Sequence, residues 1–137
     1  MPDTRELVVN TEPIIAIIAA LGDLKILHRL YERVLVPFEV CQEMLAYNSS
    51  RYGAAEFEVA LDKNIATVCI DEDAGRRVAR LNGLRVTGSL GILIRAKREG
   101  HNISLSEAIG RMQTRGIYLT QRVIQAALKQ AGEVKVQ

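Results

Sequence analysis

The sequence predicts an α/β domain in which helices wrap a central, mostly parallel β-sheet. Short β-prone runs alternate with helical patterns along most of the chain. One run, Ile65–Ile70, is apolar throughout, as expected of a parallel strand that is covered on both faces. With 137 residues, 48% of them hydrophobic, the chain is long enough for one domain with its own core. We therefore predict a single domain spanning residues 1–137.

The N-terminal half alternates strands and helices. Its strands are Leu7–Val9, Val34–Val36 and Ile65–Ile70. Pro13 suits the first turn of a helix that Gly22 ends, and Asp23 is suited to cap a second helix. Two further helices are predicted over 38–46 and 54–62, with a loop-like stretch between them.

The C-terminal half begins with a helix for which Asp73 is the predicted N-cap, followed by a short strand at Leu84–Val86. Thr87-Gly88-Ser89 then turns into a helix that runs to Gly100. Ser104 has capping-box spacing to Glu107 and Thr120 begins a last helix. No strand separates these last two helices, so residues 103–132 are predicted to form a helical hairpin that covers the sheet or mediates dimerisation.

The cysteines and the apolar runs indicate a cytoplasmic protein. Cys41 and Cys69 lie in apolar stretches and are predicted to be buried, reduced thiols, because a zinc site needs about four nitrogen or sulfur ligands. The first residues do not resemble a signal peptide. The longest apolar run, Ile14–Leu21, is too short to span a bilayer, so we expect no membrane association.

Charge divides the chain into an acidic and a basic part. Residues 1–75 carry 6 Lys/Arg and 13 Asp/Glu, whereas residues 76–137 carry 12 and 3. This asymmetry suits a protein that holds a cation at one place and a polyanion beside it. The alternative is that the opposite charges pair within the fold or across a dimer.

Polar residues follow each predicted strand, at the sheet edge where ligands of parallel α/β proteins bind. They are Asn10, Thr11, Glu12, Glu39, Glu43, Asp71, Glu72, Asp73, Thr87 and Ser89. Clustered carboxylates repel one another unless a cation compensates them, and oxygen ligands select Mg²⁺ or Mn²⁺. Such an ion activates water and neutralises charge on a phosphate. The alternative is that Asp73 only caps a helix and Glu43 is only a solvated helix residue.

Other kinds of site have less support. The sequence contains no phosphate-binding loop, dinucleotide-binding glycine pattern or Gly-x-Ser-x-Gly turn. His28 and His101 have no nucleophile beside them in the sequence. Arg76, Arg77 and Arg80, on the helix after the acidic cluster, are suited to contact phosphate, or to pair with acidic side chains.

Several of these segments resemble the PIN-domain family, and together they cover most of the chain. The segment Leu7–Ile15 is similar to the first strand and turn of that family, and Arg33–Pro37 with Val40–Leu45 is similar to its second strand and acidic helix. Ile70–Ala79 and the block Val86–Leu93, followed by Arg95-Ala96-Lys97, resemble a prokaryotic branch of the superfamily.

The resemblance implies a three-layer sandwich around a sheet of about five parallel strands, with an acidic pocket for Mg²⁺ or Mn²⁺. It also implies hydrolysis of RNA, often as the toxin that an antitoxin protein neutralises, and a homodimer. Under this interpretation the residues fall into three groups. The catalytic residues are Glu43, Asp71 and Glu72, the metal ligands are Asn10, Glu43, Asp71 and Asp73, and the RNA-binding residues are Arg76, Arg77, Thr87 and Ser89.

Two departures from the family pattern bear on activity. Asn10 stands where the family has its first metal-binding aspartate, so a full negative charge is missing there. The stretch between Glu43 and Ile65 is short, and only Glu56 or Glu58 is available to replace a further carboxylate of the family. A PIN-like module that has lost catalysis and binds RNA or a protein is therefore the alternative function.

Overall fold

Four parallel strands form a sheet in the order β2-β1-β3-β4. The structure is a computed structural model that describes residues 6–37 and 65–133. The strands are β1 (Glu6–Val9), β2 (Arg33–Leu35), β3 (Thr67–Cys69) and β4 (Arg85–Thr87). Every neighbouring pair is parallel, which confirms the predicted α/β class, and the described residues contribute four of the roughly five strands expected. The predicted helices over 38–46 and 54–62 lie outside the described residues.

Six helices accompany the sheet in the described part of the chain. They are α1 (Thr11–Leu21), α2 (Lys25–Leu30), α3 (Asp73–Leu81), α4 (Ser89–Arg98), α5 (Leu105–Thr114) and α6 (Gln121–Gln130). Each of these helices is too short or too polar to cross a membrane.

Helix ends follow the sequence signals at most positions. Gly22 ends α1 in the left-handed conformation, and the Ser104 and Thr120 side chains accept from backbone amides of α5 and α6 as predicted. The predictions for Asp23 and Asp73 were wrong. Leu24 is the N-cap of α2, one position after Asp23, and α2 has no side-chain capping bond. Glu72 is the N-cap of α3, because its longer side chain reaches the second and third amides of the helix while Asp73 has already entered the first turn.

The core lies on both faces of the sheet, because alternate strand residues point in opposite directions. Leu7 and Val9 pack with α1, α2 and α4 on one face. Val8 and Val68 pack against Ala79 of α3 on the other. The sheet therefore has helices on both sides. Its central strands β1 and β3 are buried, as the apolar run at 65–70 predicted for β3, whereas the edge strands β2 and β4 are partly exposed.

The C-terminal hairpin packs on helices rather than on strands. Ala108 and Met112 of α5 share a buried cluster with Ala16 and Ala20 of α1 and with Leu93 of α4. Small alanines on α1 let the two helices approach closely. The hairpin thus packs as additional helices against α1.

Glu133 fastens the end of the hairpin to its beginning. Its carboxylate accepts from the Leu105 and Ser106 amides at 2.6 and 3.0 Å, and from Lys97 Nζ at 2.7 Å. Burial acts to raise the pKa of Glu133, but these bonds, the one from Lys97 most of all, together lower it to about 2. The first two amides of α5 are thereby satisfied by Glu133, which follows α6 in the chain.

We expect Glu133→Gln to lower the free energy of unfolding at pH 7 by roughly 1–3 kcal/mol. Because the folded-state pKa lies below the usual value of 4.5, the stabilisation is present above pH 4.5 and disappears as the pH falls to about 2. Urea unfolding between pH 7 and pH 2 measures this, with Glu99→Gln as a more exposed control. An equal difference between wild type and Glu133→Gln at both pH values would contradict the linkage.

Candidate functional site

Strand register brings Asp71 beside Ser89 at the carboxyl edge of the sheet. Cys69 of β3 pairs with Thr87 of β4. Asp71 lies two positions after Cys69, and Ser89 lies two positions after Thr87. Ser89 N donates to Asp71 Oδ1 at 2.7 Å, and Ser89 Oγ donates to Oδ2 at 2.9 Å. Asp71 therefore satisfies the first amide of α4, whose N-cap Gly88 has no side chain for that purpose.

Gly88 lets two charged groups approach the same turn. A Cβ on Gly88 would lie 2.8 Å from both Arg76 Nη1 and Asp71 Oδ1. Arg76 Nη1 also donates to the Ile70 carbonyl at 3.0 Å, which fixes the guanidinium at this edge. The Gly88 backbone is extended, a conformation that any residue can adopt. Glycine is therefore required here by the lack of space for a side chain and not by the backbone conformation.

Two other residues proposed for the site serve as helix caps. Glu72 accepts from the Ala74 and Gly75 amides at 2.9 Å with one oxygen each. Asn10 is 0% exposed and its Oδ1 accepts from Thr11 N at 2.6 Å, at the start of α1. Asn10 Nδ2 is buried and has no hydrogen-bond partner among the described residues. These contacts place Glu72 as a residue that positions α3, and Asn10 beneath the surface.

A groove of about 820 Å³ opens at this edge and is lined by both polar and apolar residues. Its volume lies within the range of roughly 300–1,000 Å³ that is usual for ligand sites. The polar lining residues, counting Gly88 of the turn with them, are Glu12, Asp71, Asp73, Arg76, Thr87, Gly88 and Ser89. The apolar lining residues are Ile15, Ala16, Val86, Leu90, Gly91, Met112, Ile117, Tyr118, Leu119 and Val123.

Only some of the RNA-binding residues predicted from the sequence line this groove. Arg76, Thr87 and Ser89 line it, whereas Arg77 is exposed on α3 and is not among the lining residues. The apolar lining was not predicted, because its residues come from α1, β4, α4 and the hairpin, which are remote from one another in the sequence. A sequence signal for it is Tyr118, an aromatic residue between two helices.

The groove contains donors of the chemical kind that a hard divalent ion prefers. Glu12, Asp71 and Asp73 are carboxylate residues of its lining, and oxygen ligands suit Mg²⁺ and Mn²⁺. Within residues 6–37 and 65–133, however, no three acidic, histidine or cysteine side chains are close enough to hold an ion. A complete ligand set would need a donor from outside the described residues, where the predicted ligand Glu43 lies.

Cys69 lies two positions before Asp71 in the chain, and its thiol is not reactive. The residue is fully buried and is a free cysteine. Burial raises the pKa of its thiol well above the usual value, and the nearby Asp71 charge raises it further. The thiol therefore stays protonated, which agrees with the reduced, structural role predicted for it, while Cys41 lies outside the described residues.

Comparison with protein families agrees with the fold. A family model for the PIN domain matches residues 6–61 and 53–133. The two matched segments overlap at residues 53–61, within the short stretch where the sequence departs from the family pattern. No curated protein and no solved structure matches the chain.

Two glycine substitutions should have opposite effects on stability. Gly88→Ala is expected to lower the free energy of unfolding by about 1–3 kcal/mol, because its methyl group displaces Asp71 or Arg76. Gly110 lies within α5, and a Cβ added there would meet no neighbouring residue within 4 Å, so Gly110→Ala should raise stability by up to about 1 kcal/mol. Thermal unfolding of both variants is the measurement. A neutral Gly88→Ala would show that the turn has room to spare.

Proposed function

Because the chain belongs to the PIN domain family, we propose that it is a ribonuclease that depends on Mg²⁺ or Mn²⁺ and acts at this groove. The observation that carries the proposal is the setting of Asp71. Its carboxylate lines a ligand-sized groove, is held by both donors of Ser89, and lies beside the Arg76 guanidinium. An oriented carboxylate next to a cation at this edge suits a site that hydrolyses a phosphodiester.

The lone pairs of Asp71 leave room for this role. Each carboxylate oxygen accepts one bond from Ser89 and has a second lone pair available. Asp71 and Asp73 would hold the ion together with Glu43, and Glu12 lines the same groove. A bound ion supplies positive charge that activates water and stabilises the phosphate.

Arg76 would bind the phosphate itself, because the first amide of α4 is already bonded to Asp71. The Arg76 guanidinium is anchored on the Ile70 carbonyl, so little side-chain freedom is lost when it meets a phosphate oxygen. Thr87 lines the same groove with its hydroxyl group, and Ser89 would act through its bonds to Asp71. An antitoxin partner and a homodimer, which the family also implies, stay predictions.

A second function is favoured by Asn10. The side chain is buried, carries no charge, and already uses its oxygen on Thr11 N. If no ion reaches this position, the same groove binds RNA or a protein without cleaving it. This alternative keeps the role of Arg76 and removes that of the metal.

Cleavage of single-stranded RNA in Mn²⁺ separates the two functions. We expect Asp71→Asn and Glu43→Gln each to reduce the rate by about 100-fold or more, since each removes a charge that acts in the transition state. Asp23→Asn is the matched control, because Asp23 is exposed, accepts from the nearby Lys25 amide, and is not among the groove residues. Cleavage that is equal in all variants would point to a contaminant and remove the nuclease proposal.

Restoring the carboxylate at position 10 tests how far the ion reaches. Asn10→Asp should lower the melting temperature in EDTA, because a charge is then buried. Mn²⁺ should raise the melting temperature of this variant more than that of the wild type, because binding to the folded state stabilises it. Asn102→Asp, at an exposed loop position, is the control. An Asn10→Asp variant that is indifferent to Mn²⁺ would mean that no ion comes within reach of residue 10.

A further inference from the structure

Tyr118 is an exposed aromatic side chain on the rim of the proposed nuclease groove. It lies between α5 and α6, is 84% exposed, and lines the groove that also contains Asp71 and Arg76. An aromatic ring is costly to leave in water, so a ring that is exposed at a ligand-sized groove suggests a ligand that covers it. Nothing in the proposed chemistry at Asp71 uses this residue.

Apolar residues line the groove together with this ring. Ile117 and Leu119 flank Tyr118 in the chain and line the groove with it, and Ile15 and Val123 are exposed on neighbouring helices. The same groove also contains charged and hydroxyl groups, so its lining combines polar and apolar chemistry. A nucleotide likewise combines an anionic phosphate with a flat base.

The charge of the hairpin favours a polyanion over an ordinary protein segment. Between residues 108 and 132 the chain has Arg111, Arg115, Arg122 and Lys129, and it has no Asp or Glu. Arg115 and Arg122 are exposed on either side of Tyr118 in the sequence. Positive charge around an exposed aromatic ring is the arrangement that binds single-stranded nucleic acids.

We propose that Tyr118 is a stacking platform for a base of single-stranded RNA, whose phosphate contacts Arg76 in the same groove. The proposal rests on the proposed function and names its substrate as single-stranded RNA. A base in a duplex is stacked on its neighbours, so its face is not available to Tyr118. Because every base has such a face, the platform selects strandedness and not sequence.

The test measures binding in EDTA, where failure of cleavage cannot affect the result. Fluorescence anisotropy with labelled hexauridylate should show about fivefold or greater loss of affinity for Tyr118→Ala and a change within about twofold for Tyr118→Phe. Leu81→Ala is the matched control, since Leu81 is 78% exposed on α3 and is not among the groove residues. Equal melting temperatures for wild type and Tyr118→Ala are expected for so exposed a ring.

An abasic ribose-phosphate oligomer of the same length isolates the stacking. Tyr118→Ala should bind this oligomer as the wild type does, which closes a double-mutant cycle between ring and base. Unchanged hexauridylate affinity for Tyr118→Ala, or an equal loss on the abasic oligomer, would overturn the proposal. A Tyr118→Ala variant that keeps its RNA affinity but loses a dimer in sedimentation would assign the ring to a protein interface instead. Loss of RNA affinity in a protein without nuclease activity would uphold the platform and reject only the catalytic proposal.

Discussion

The site depends on one constraint of parallel sheets, which is that every strand-to-helix connection leaves unpaired amides at the same edge. Helices α1, α3 and α4 all begin directly after a strand, at the carboxyl edge of the sheet. Asn10, Glu72 and Asp71 accept hydrogen bonds from amides in the first turns of α1, α3 and α4, respectively. The polar residues at the strand ends are thus required by the backbone before any ligand is considered.

This requirement changes the electrostatic argument that the sequence suggested. A row of carboxylates at one edge indicated a cation, because like charges repel. In the structure, helix amides already compensate part of the charge of Asp71 and Glu72, and Arg76 lies at the same turn as Asp71. Mutual repulsion therefore does not by itself demand a metal. The case for an ion rests on the family and on the lone pairs that Asp71 keeps, which is why measured metal dependence is decisive.

Local signals predicted the elements well, and tertiary packing determined the rest. The apolar run at 65–70, Gly22, Ser104 and Thr120 act through their own backbone neighbourhood, so the sequence alone locates them. The error at Asp73 has the same local origin, since two adjacent acids compete for one cap and the longer side chain reaches it. The bond between Asp71 and Ser89 needed the β3–β4 register, which no local pattern contains.

The apolar lining of the groove was beyond prediction for a further reason, which concerns α1. This helix begins at the carboxyl edge of the sheet, its Ile15 and Ala16 line the groove, and Ala20 packs in the cluster that includes α5. Alanines at the contact bring α5 close, and that distance decides where Ile117 and Tyr118 lie relative to Asp71. A larger residue at position 20 would move the hairpin without touching any polar group of the site. The position of Tyr118 relative to Asp71 is therefore set by helix packing and not by the polar contacts at the strand ends.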